Sequence, residues 1–233
     1  MASTITYVGS VHRYTRSQAV GPVSFSVGEG EVVGLVGSNG SGKTTVMKMA
    51  LGLLRQHEGT VAVGGHPVVY GRLPAQMSGF VDKPFFYEQL SATDNLVMAA
   101  AGRLPRLRRI DALLTEVGLS PGDPKRVREY SQGMKQRLGI ARALLGDPRY
   151  VMLDEPTNGL DPDGIRWVRR LVSGLTAAGK AVVVSSHLLG ELQRISDTIV
   201  IMRAGEVVEV RSMADLAAQG LDLEDLYLGA PTD

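Results

Sequence analysis

Short apolar runs alternate with longer amphipathic stretches along most of this chain. Ile5 to Val8 and Val23 to Val27 are predicted as antiparallel strands, broken by Gly21-Pro22 and Gly28. Val32 to Val36 is a continuous β-branched run suited to a strand buried on both faces, and Thr60 to Val63 is a further strand. Between them Val46 to Leu54 has helical spacing. The middle of the chain changes period. Ser91-Ala92-Thr93-Asp94 is a capped start before Leu96 to Ala100, and Leu107 to Val117 places Ile110, Leu113, Leu114 and Val117 on one helical face. Ser131 opens another helix through Leu138, Ile140 and Leu145. After Asp147-Pro148 the alternation resumes: strand Tyr150 to Leu153, helix Pro162 to Leu175, strand Ala181 to Val184, and a hairpin from Thr198 to Met202 and Val207 to Val210. The pattern predicts an α/β fold, a sheet flanked by helices, with an N-terminal antiparallel β part and a helical insert at about 84–147, all within one domain spanning 1–233.

Composition narrows the function classes. Hydrophobic residues make up 44% of the chain, enough for a sizeable core, and 25 basic against 24 acidic residues leave a net charge of +1. Bulk electrostatics therefore give no reason to expect a nucleic-acid partner. There is no cysteine, which excludes disulfides, thiolate metal sites and thiol catalysis. No apolar run approaches the roughly 20 residues that cross a bilayer. Met1 to Gly9 lacks the pattern of a secretory signal, so a soluble, cytoplasmic chain is expected.

Chemistry enters at Gly37-Ser38-Asn39-Gly40-Ser41-Gly42-Lys43-Thr44, a full match to GxxxxGK[ST] set after a buried strand and before a helix. Glycines let the backbone wrap a triphosphate and aim N–H groups at its oxygens, and the helix start adds a dipole that favours anions. Lys43 is expected to neutralise the β- and γ-phosphates and the Thr44 hydroxyl to bind Mg²⁺; Thr45 is counted with the nucleotide-binding set. Val151-Met152-Leu153-Asp154-Glu155 is an apolar strand ending in two carboxylates, at the place where an open α/β sheet meets its ligand. Asp154 is expected to hold Mg²⁺, and Glu155 to orient and deprotonate the attacking water.

With Tyr130-Ser131-Gln132-Gly133-Met134-Lys135-Gln136-Arg137 lying between these two motifs, the chain resembles the ATP-binding-cassette (ABC) family, whose signature sequence stands in this order. The resemblance covers about Ile5 to Val210. It implies an ATPase, with ATP and Mg²⁺ as cofactors. Tyr14 would stack on adenine, although a lone tyrosine also suits a half-buried strand position. His187, after the strand Ala181 to Val184, would be the switch histidine that contacts the γ-phosphate. Gly159-Leu160-Asp161 would contact a second subunit. Ser131, which also suits an N-cap, and Gly133 would grip the γ-phosphate bound by that subunit in a head-to-tail dimer, a homodimer on this reading.

Two departures from the family pattern matter. The signature is usually written LSGGQ; here Ser131 and Gly133 remain but Gln132 and Met134 differ. Asp82 stands where the family carries a glutamine that touches Mg²⁺ and water, a feature of a branch that exports peptides, antibiotics and other drugs. Asp82 is accordingly expected to be metal-linked through water, the alternative being a turn cap. Phe85-Phe86-Tyr87 follows, where the family forms a groove for a short helix of a separate membrane-spanning permease, one of the three being expected in the core. The basic stretch Arg103, Arg106, Arg108 and Arg109 is expected to be a solvated face, with a phospholipid contact as the alternative. The expected function is therefore the ATP-hydrolysing subunit of a transporter, held at the inner face of the membrane by its permease and working as an exporter. The alternative is a non-transport cassette ATPase with a regulatory or assembly role.

Overall fold

The computed structural model describes residues 4–82, 84–102 and 104–229. Arg103 and the first three residues of the Met1 to Gly9 stretch lie outside them. Two sheets form the body. Strands β1 (Ile5–Arg13), β2 (Ala19–Val27), β4 (Glu58–Val63) and β5 (His66–Pro67) make an antiparallel sheet in the order β2-β1-β4-β5. The second sheet combines β3 (Val32–Val36), β6 (Met77–Phe80), β7 (Tyr150–Leu153), β8 (Ala181–Ser186), β9 (Thr198–Arg203) and β10 (Glu206–Ser212) in the order β10-β9-β3-β8-β7-β6. Its strands pair in parallel except for the β9–β10 hairpin.

The continuous apolar runs are explained by burial on both faces of this second sheet. Side chains alternate across a strand, so each run feeds two cores at once. Val32 and Val36, Val151 and Leu153, and Val182 and Val184 face the larger core. Val33 and Leu35, Tyr150 and Met152, and Ala181 and Val183 face the smaller one, shared with the antiparallel sheet and with helix α1 (Lys43–Ala50). Tyr7 ties these together by donating its hydroxyl to the Val46 carbonyl at 3.1 Å, and complete burial pushes its pKa up so that it stays neutral.

Between β6 and β7 lie α2 (Ala92–Ala100), α3 (Leu104–Glu116) and α4 (Gln132–Leu144). Leu96, Ile110, Leu113, Leu114, Val117, Leu138 and Ile140 bury their helical stripes in the larger core. Ser91 caps α2 by accepting from Asp94 N–H. Helix α4 lies close against β6 because Gly139 has no side chain; a Cβ there would stand 2.3 Å from a Phe80 ring carbon. After β7 comes α5 (Pro162–Ala177), which buries Val168, Leu171, Val172 and Leu175 in the same core and returns the chain to β8.

Several expected boundaries move. Strand β2 runs through Gly21-Pro22 instead of breaking there. The pairing with β1 slips between Ser10↔Val23 and His12↔Val20, Gly21 N–H turns to the Gly205 carbonyl at 2.7 Å, and Pro22 has no N–H to leave unpaired. Helix α1 ends at Ala50, short of Leu54, because Gly52 turns the chain with φ +70°. Strand β8 continues two residues past Val184, through Ser185 and Ser186, both buried. Strand β6, the single-turn helix α6 (Leu189–Leu192) and the short C-terminal helices α7 (Met213–Ala218) and α8 (Leu223–Gly229) have no counterpart among the predicted elements. Of the basic stretch, Arg108 is exposed and Arg109 pairs with Asp147 at 3.4 Å. No helix among the described residues is long and apolar enough to cross a membrane.

Candidate nucleotide site

The parallel strands β3, β7 and β8 end side by side, and the chemistry is gathered at those ends. The loop 37–42 leaves β3 and enters α1. Gly37 must be glycine on steric grounds, since a Cβ there would stand 2.3 Å from Ser41 Oγ and 2.5 Å from the Met202 carbonyl oxygen. Lys43 is buried, and its Nζ donates to the carbonyls of Gly37 at 2.7 Å and Ser38 at 3.1 Å, folded back on its own loop. Ser38, Asn39 and Gly40 are exposed at the rim, while the Ser41 hydroxyl is buried without a hydrogen-bond partner.

Asp154 and Glu155 follow β7. Thr44 Oγ1 donates to Asp154 Oδ2 at 2.7 Å, which places two hard oxygen atoms together beside the loop. Glu155 adopts a left-handed backbone, φ +48°, a conformation that a non-glycine residue holds only when its surroundings impose it. Those surroundings are visible: its N–H donates to Ser185 Oγ at 2.8 Å and its carbonyl accepts from Gln136 Nε2 at 2.9 Å. Its carboxylate reaches His187 Nδ1 at 2.7 Å through Oε2, while Oε1 lies 3.9 Å from Lys43 Nζ and is buried without a hydrogen bond. His187 and Lys43 thus converge on the Glu155 carboxylate.

A cleft of about 450 Å³ opens over these groups, lined by Tyr14, Gln18, Asn39, Gly40, Gly42, Lys43, Thr44, Thr45, Asp154, Glu155 and Gly205. Tyr14 stands just past the end of β1, half exposed, with its hydroxyl 2.7 Å from Thr45 Oγ1. That places an aromatic face at the mouth of the cleft. Among the described residues no three His, Asp or Glu side chains converge as a self-sufficient metal site. Thr44 and Asp154 offer the oxygen donors that suit Mg²⁺, an ion that usually takes its remaining ligands from phosphate and water.

Other expected site residues stand apart from this cleft. Ser131 caps α4, its Oγ accepting from Met134 N–H at 3.2 Å. Asp161 caps α5 by accepting from Gly164 N–H at 2.7 Å. The two caps are neighbours: a side chain at Gly159 would meet Gln132 Cγ at 2.9 Å, and one at Gly133 would meet Leu160 Cδ2 at 3.4 Å. Ser131, Gln132 and Asp161 are exposed, and neither Ser131, Gly133 nor Asp161 lines the phosphate-loop cleft.

Asp82 also has a left-handed backbone, φ +60°, and its carboxylate sits 2.5 Å from Lys48 Nζ rather than on the Thr44–Asp154 pair. It shares a second cavity, of about 530 Å³, with Asp154, Glu155, Gln132 and Gln136. Of the aromatic trio, Phe86 is buried in the core while Phe85 and Tyr87 are exposed at 77% and 52%. They edge a small hollow with Met98, Ala99 and Arg142.

Sequence reasoning did not single out Ser185 or Gln136 for the contacts they make. The available signal was weak: a serine closing an apolar strand run, and a glutamine one helical turn past the signature glycine.

Residues 20–158 match the family model described as ABC transporter. Over 230 residues the chain is 37% identical to the uncharacterized ABC transporter ATP-binding protein YcbN of Bacillus subtilis, covering 95% of this chain and 75% of that one. It is 36% identical to the bacitracin transport ATP-binding protein BcrA of Bacillus licheniformis, covering 90% of this chain and 70% of the relative. A solved ATP-binding subunit of an ABC transporter superposes with a TM-score of 0.85 at 30% identity, covering 97% of this chain and 98% of that chain. The chain belongs to the ABC transporter family, as one of its ATP-binding, ATP-hydrolysing subunits.

Proposed function

We propose that two copies of this chain close head to tail around two MgATP, and that the cycle of closing and opening drives a separate membrane-spanning permease. One observation carries the proposal: the cleft holding Lys43, Thr44, Asp154 and Glu155 lacks Ser131 and Gly133, which stand elsewhere on the same chain, Ser131 exposed and Gly133 half-buried beside it. A second copy facing this one would bring its Ser131–Gly133 patch over the cleft.

In this scheme Tyr14 stacks on the adenine and the N–H groups of the loop 37–42 cradle the phosphates. Lys43 exchanges the carbonyls of Gly37 and Ser38 for phosphate oxygens. Thr44 and Asp154 hold Mg²⁺, which when bound offsets phosphate charge. Glu155 orients the attacking water and takes its proton as the bond between the β–γ bridging oxygen and the γ-phosphorus breaks. His187, resting on Glu155 before nucleotide arrives, moves to the γ-phosphate. Asp82, now paired with Lys48, would be linked to the Mg²⁺ held at Thr44 and Asp154. Asp161 meets the opposite subunit, and Phe85 and Tyr87 form the floor on which a short permease helix rests. Helices α2–α4 act as a helical subdomain that carries the signature patch, within a single ATPase domain. The chain works at the inner face of the cell membrane, bound there by the permease, and the direction is export. Asp82 and the relative that transports bacitracin support that direction. The permease selects the substrate.

Glu155→Gln tests the proposal. It removes the proton acceptor while preserving shape, so turnover falls by about 10²–10⁴-fold. The variant elutes as a dimer in saturating MgATP and as a monomer without nucleotide. A variant that stays monomeric in MgATP contradicts the sandwich.

A further inference from the structure

We infer that Ser185 is a positioning residue of the ATPase reaction, a single hydroxyl that orients the metal-site carboxylate and the general base together. The inference rests on the roles proposed above for Asp154 and Glu155.

Ser185 is fully buried near the end of β8. A buried polar group at the end of an apolar strand persists where its hydrogen bonds are made, and here both are to reacting residues. Its Oγ lies 2.5 Å from Asp154 Oδ1 and 2.8 Å from Glu155 N. The direction of each bond is fixed by chemistry. A backbone N–H only donates, so Ser185 Oγ accepts from Glu155; an ionised carboxylate only accepts, so the single Ser185 proton points to Asp154. The two bonds use different parts of one hydroxyl and do not compete.

Two consequences follow for the site. Asp154 Oδ1 is occupied, which fixes the carboxylate rotamer and leaves Oδ2 turned to Thr44 and the metal position. The Glu155 N–H is held in the left-handed backbone that aims its carboxylate towards His187 and Lys43. Gln136 holds the carbonyl of the same residue from the other side. The outer-shell partners that orient metal-ligating carboxylates act in this way in metal sites generally. Without the hydroxyl, Asp154 can rotate about χ1 and χ2, and Glu155 loses the bond that its N–H makes, keeping only those its carbonyl accepts from Gln136 and Asn158.

The test uses the full chain and a fluorescent ATP analogue, titrated with Mg²⁺ and, separately, in EDTA. Ser185→Ala, with its fold checked by circular dichroism and melting, is expected to need about tenfold more Mg²⁺ for half-maximal enhancement of nucleotide binding, as loss of a hydrogen bond to a charged group implies. Binding in EDTA is expected to stay at the wild-type level, because the loop 37–44 is untouched. Ser185→Thr, which keeps the hydroxyl, is expected to return the Mg²⁺ requirement towards wild type. Should Ser185→Ala not fold, Ser185→Cys keeps the volume with a weaker donor and is expected to show the same displacement at smaller size. An unchanged Mg²⁺ requirement, or equal losses with Mg²⁺ and in EDTA, overturns the role of Ser185. Asp154→Ala run alongside separates the two levels of inference. A lost Mg²⁺ response there beside a normal one in Ser185→Ala removes only the Ser185 role. A normal response in Asp154→Ala removes the metal-site assignment and the Ser185 role with it.

Discussion

Two regions of this molecule carry the motifs of an ATPase, and they are built differently. Around the phosphate loop the polar side chains are interlocked: Lys43 with its own loop carbonyls, Thr44 with Asp154, Asp154 with Ser185, Glu155 with Ser185, Gln136 and His187. At the signature patch Ser131 and Asp161 satisfy only their own helix ends and otherwise face outward. Long-range bonds fix the first region before any ligand arrives. The second is presented, a pair of helix N-termini whose capping side chains, among the described residues, bond only to their own helices. A finished half-site and an outward half-site on one polypeptide are what a head-to-tail pair requires, because each copy then supplies what the other lacks.

The contrast can be broken from either side. After Glu155→Gln, which attacks the interlocked region, the largest expected effect comes from Gly133→Asp in the outward one. A carboxylate placed at the opposing phosphate is expected to lower turnover by about 10²–10³-fold, the scale of losing a preorganised phosphate contact. Nucleotide binding by the isolated chain should be little changed in a filter-binding assay. A parallel fall in that binding would show that Gly133 serves its own cleft.

Asp82 lies between the two regions, and its truncation sharpens their boundary. Asp82→Ala is expected to reduce turnover about tenfold, equivalent to about 1.4 kcal/mol of barrier. Its half-exposed ion pair with Lys48 is worth only ~0–1 kcal/mol, so the melting temperature should move little. Equal losses of turnover and stability would make Asp82 a turn element only.

The smallest effect is expected at Asp147, remote from both regions. The hydrogen bond from Lys180, with the nearby Arg109 charge, holds the Asp147 carboxyl below its ordinary range. A lowered folded-state pKa contributes stability above the unfolded value and loses it as pH falls through the folded one. Because the side chain is 62% exposed, solvent screening limits this to ~1 kcal/mol or less. Asp147→Asn should therefore melt slightly earlier at neutral pH, converge with wild type in acid, and leave turnover unchanged.

What was legible in the sequence follows the same division between local and long-range. The strands β3 and β7 were readable to the residue because burial on both faces writes an unbroken apolar run. The phosphate loop and the acidic strand end were readable because each is contiguous. The slip of β2 past Gly21-Pro22 was not, since it depends on Gly205 reaching across from the turn between β9 and β10. Strand β6 was missed because Met77-Ser-Gly-Phe80 carries apolar residues only at its ends, and its pairing with β7 decides its conformation. Gln136, Ser185 and Lys48 find their partners through sheet order and helix packing, which no local pattern records. Asp82 illustrates the limit: its position in the motif order was legible, its contact with Lys48 was not.

The head-to-tail arrangement can be read most directly by cross-linking, for which a chain without cysteine is ready-made. In the Glu155→Gln background, one batch carries Asn39→Cys in the phosphate loop and a differently sized batch carries Gln132→Cys in the signature patch. Mixed and oxidised in MgATP, they should give a 39–132 disulfide between unlike chains that is absent without nucleotide. Links only between like positions, 39–39 or 132–132, or no nucleotide-dependent link at all, would contradict the pairing of one region with the other.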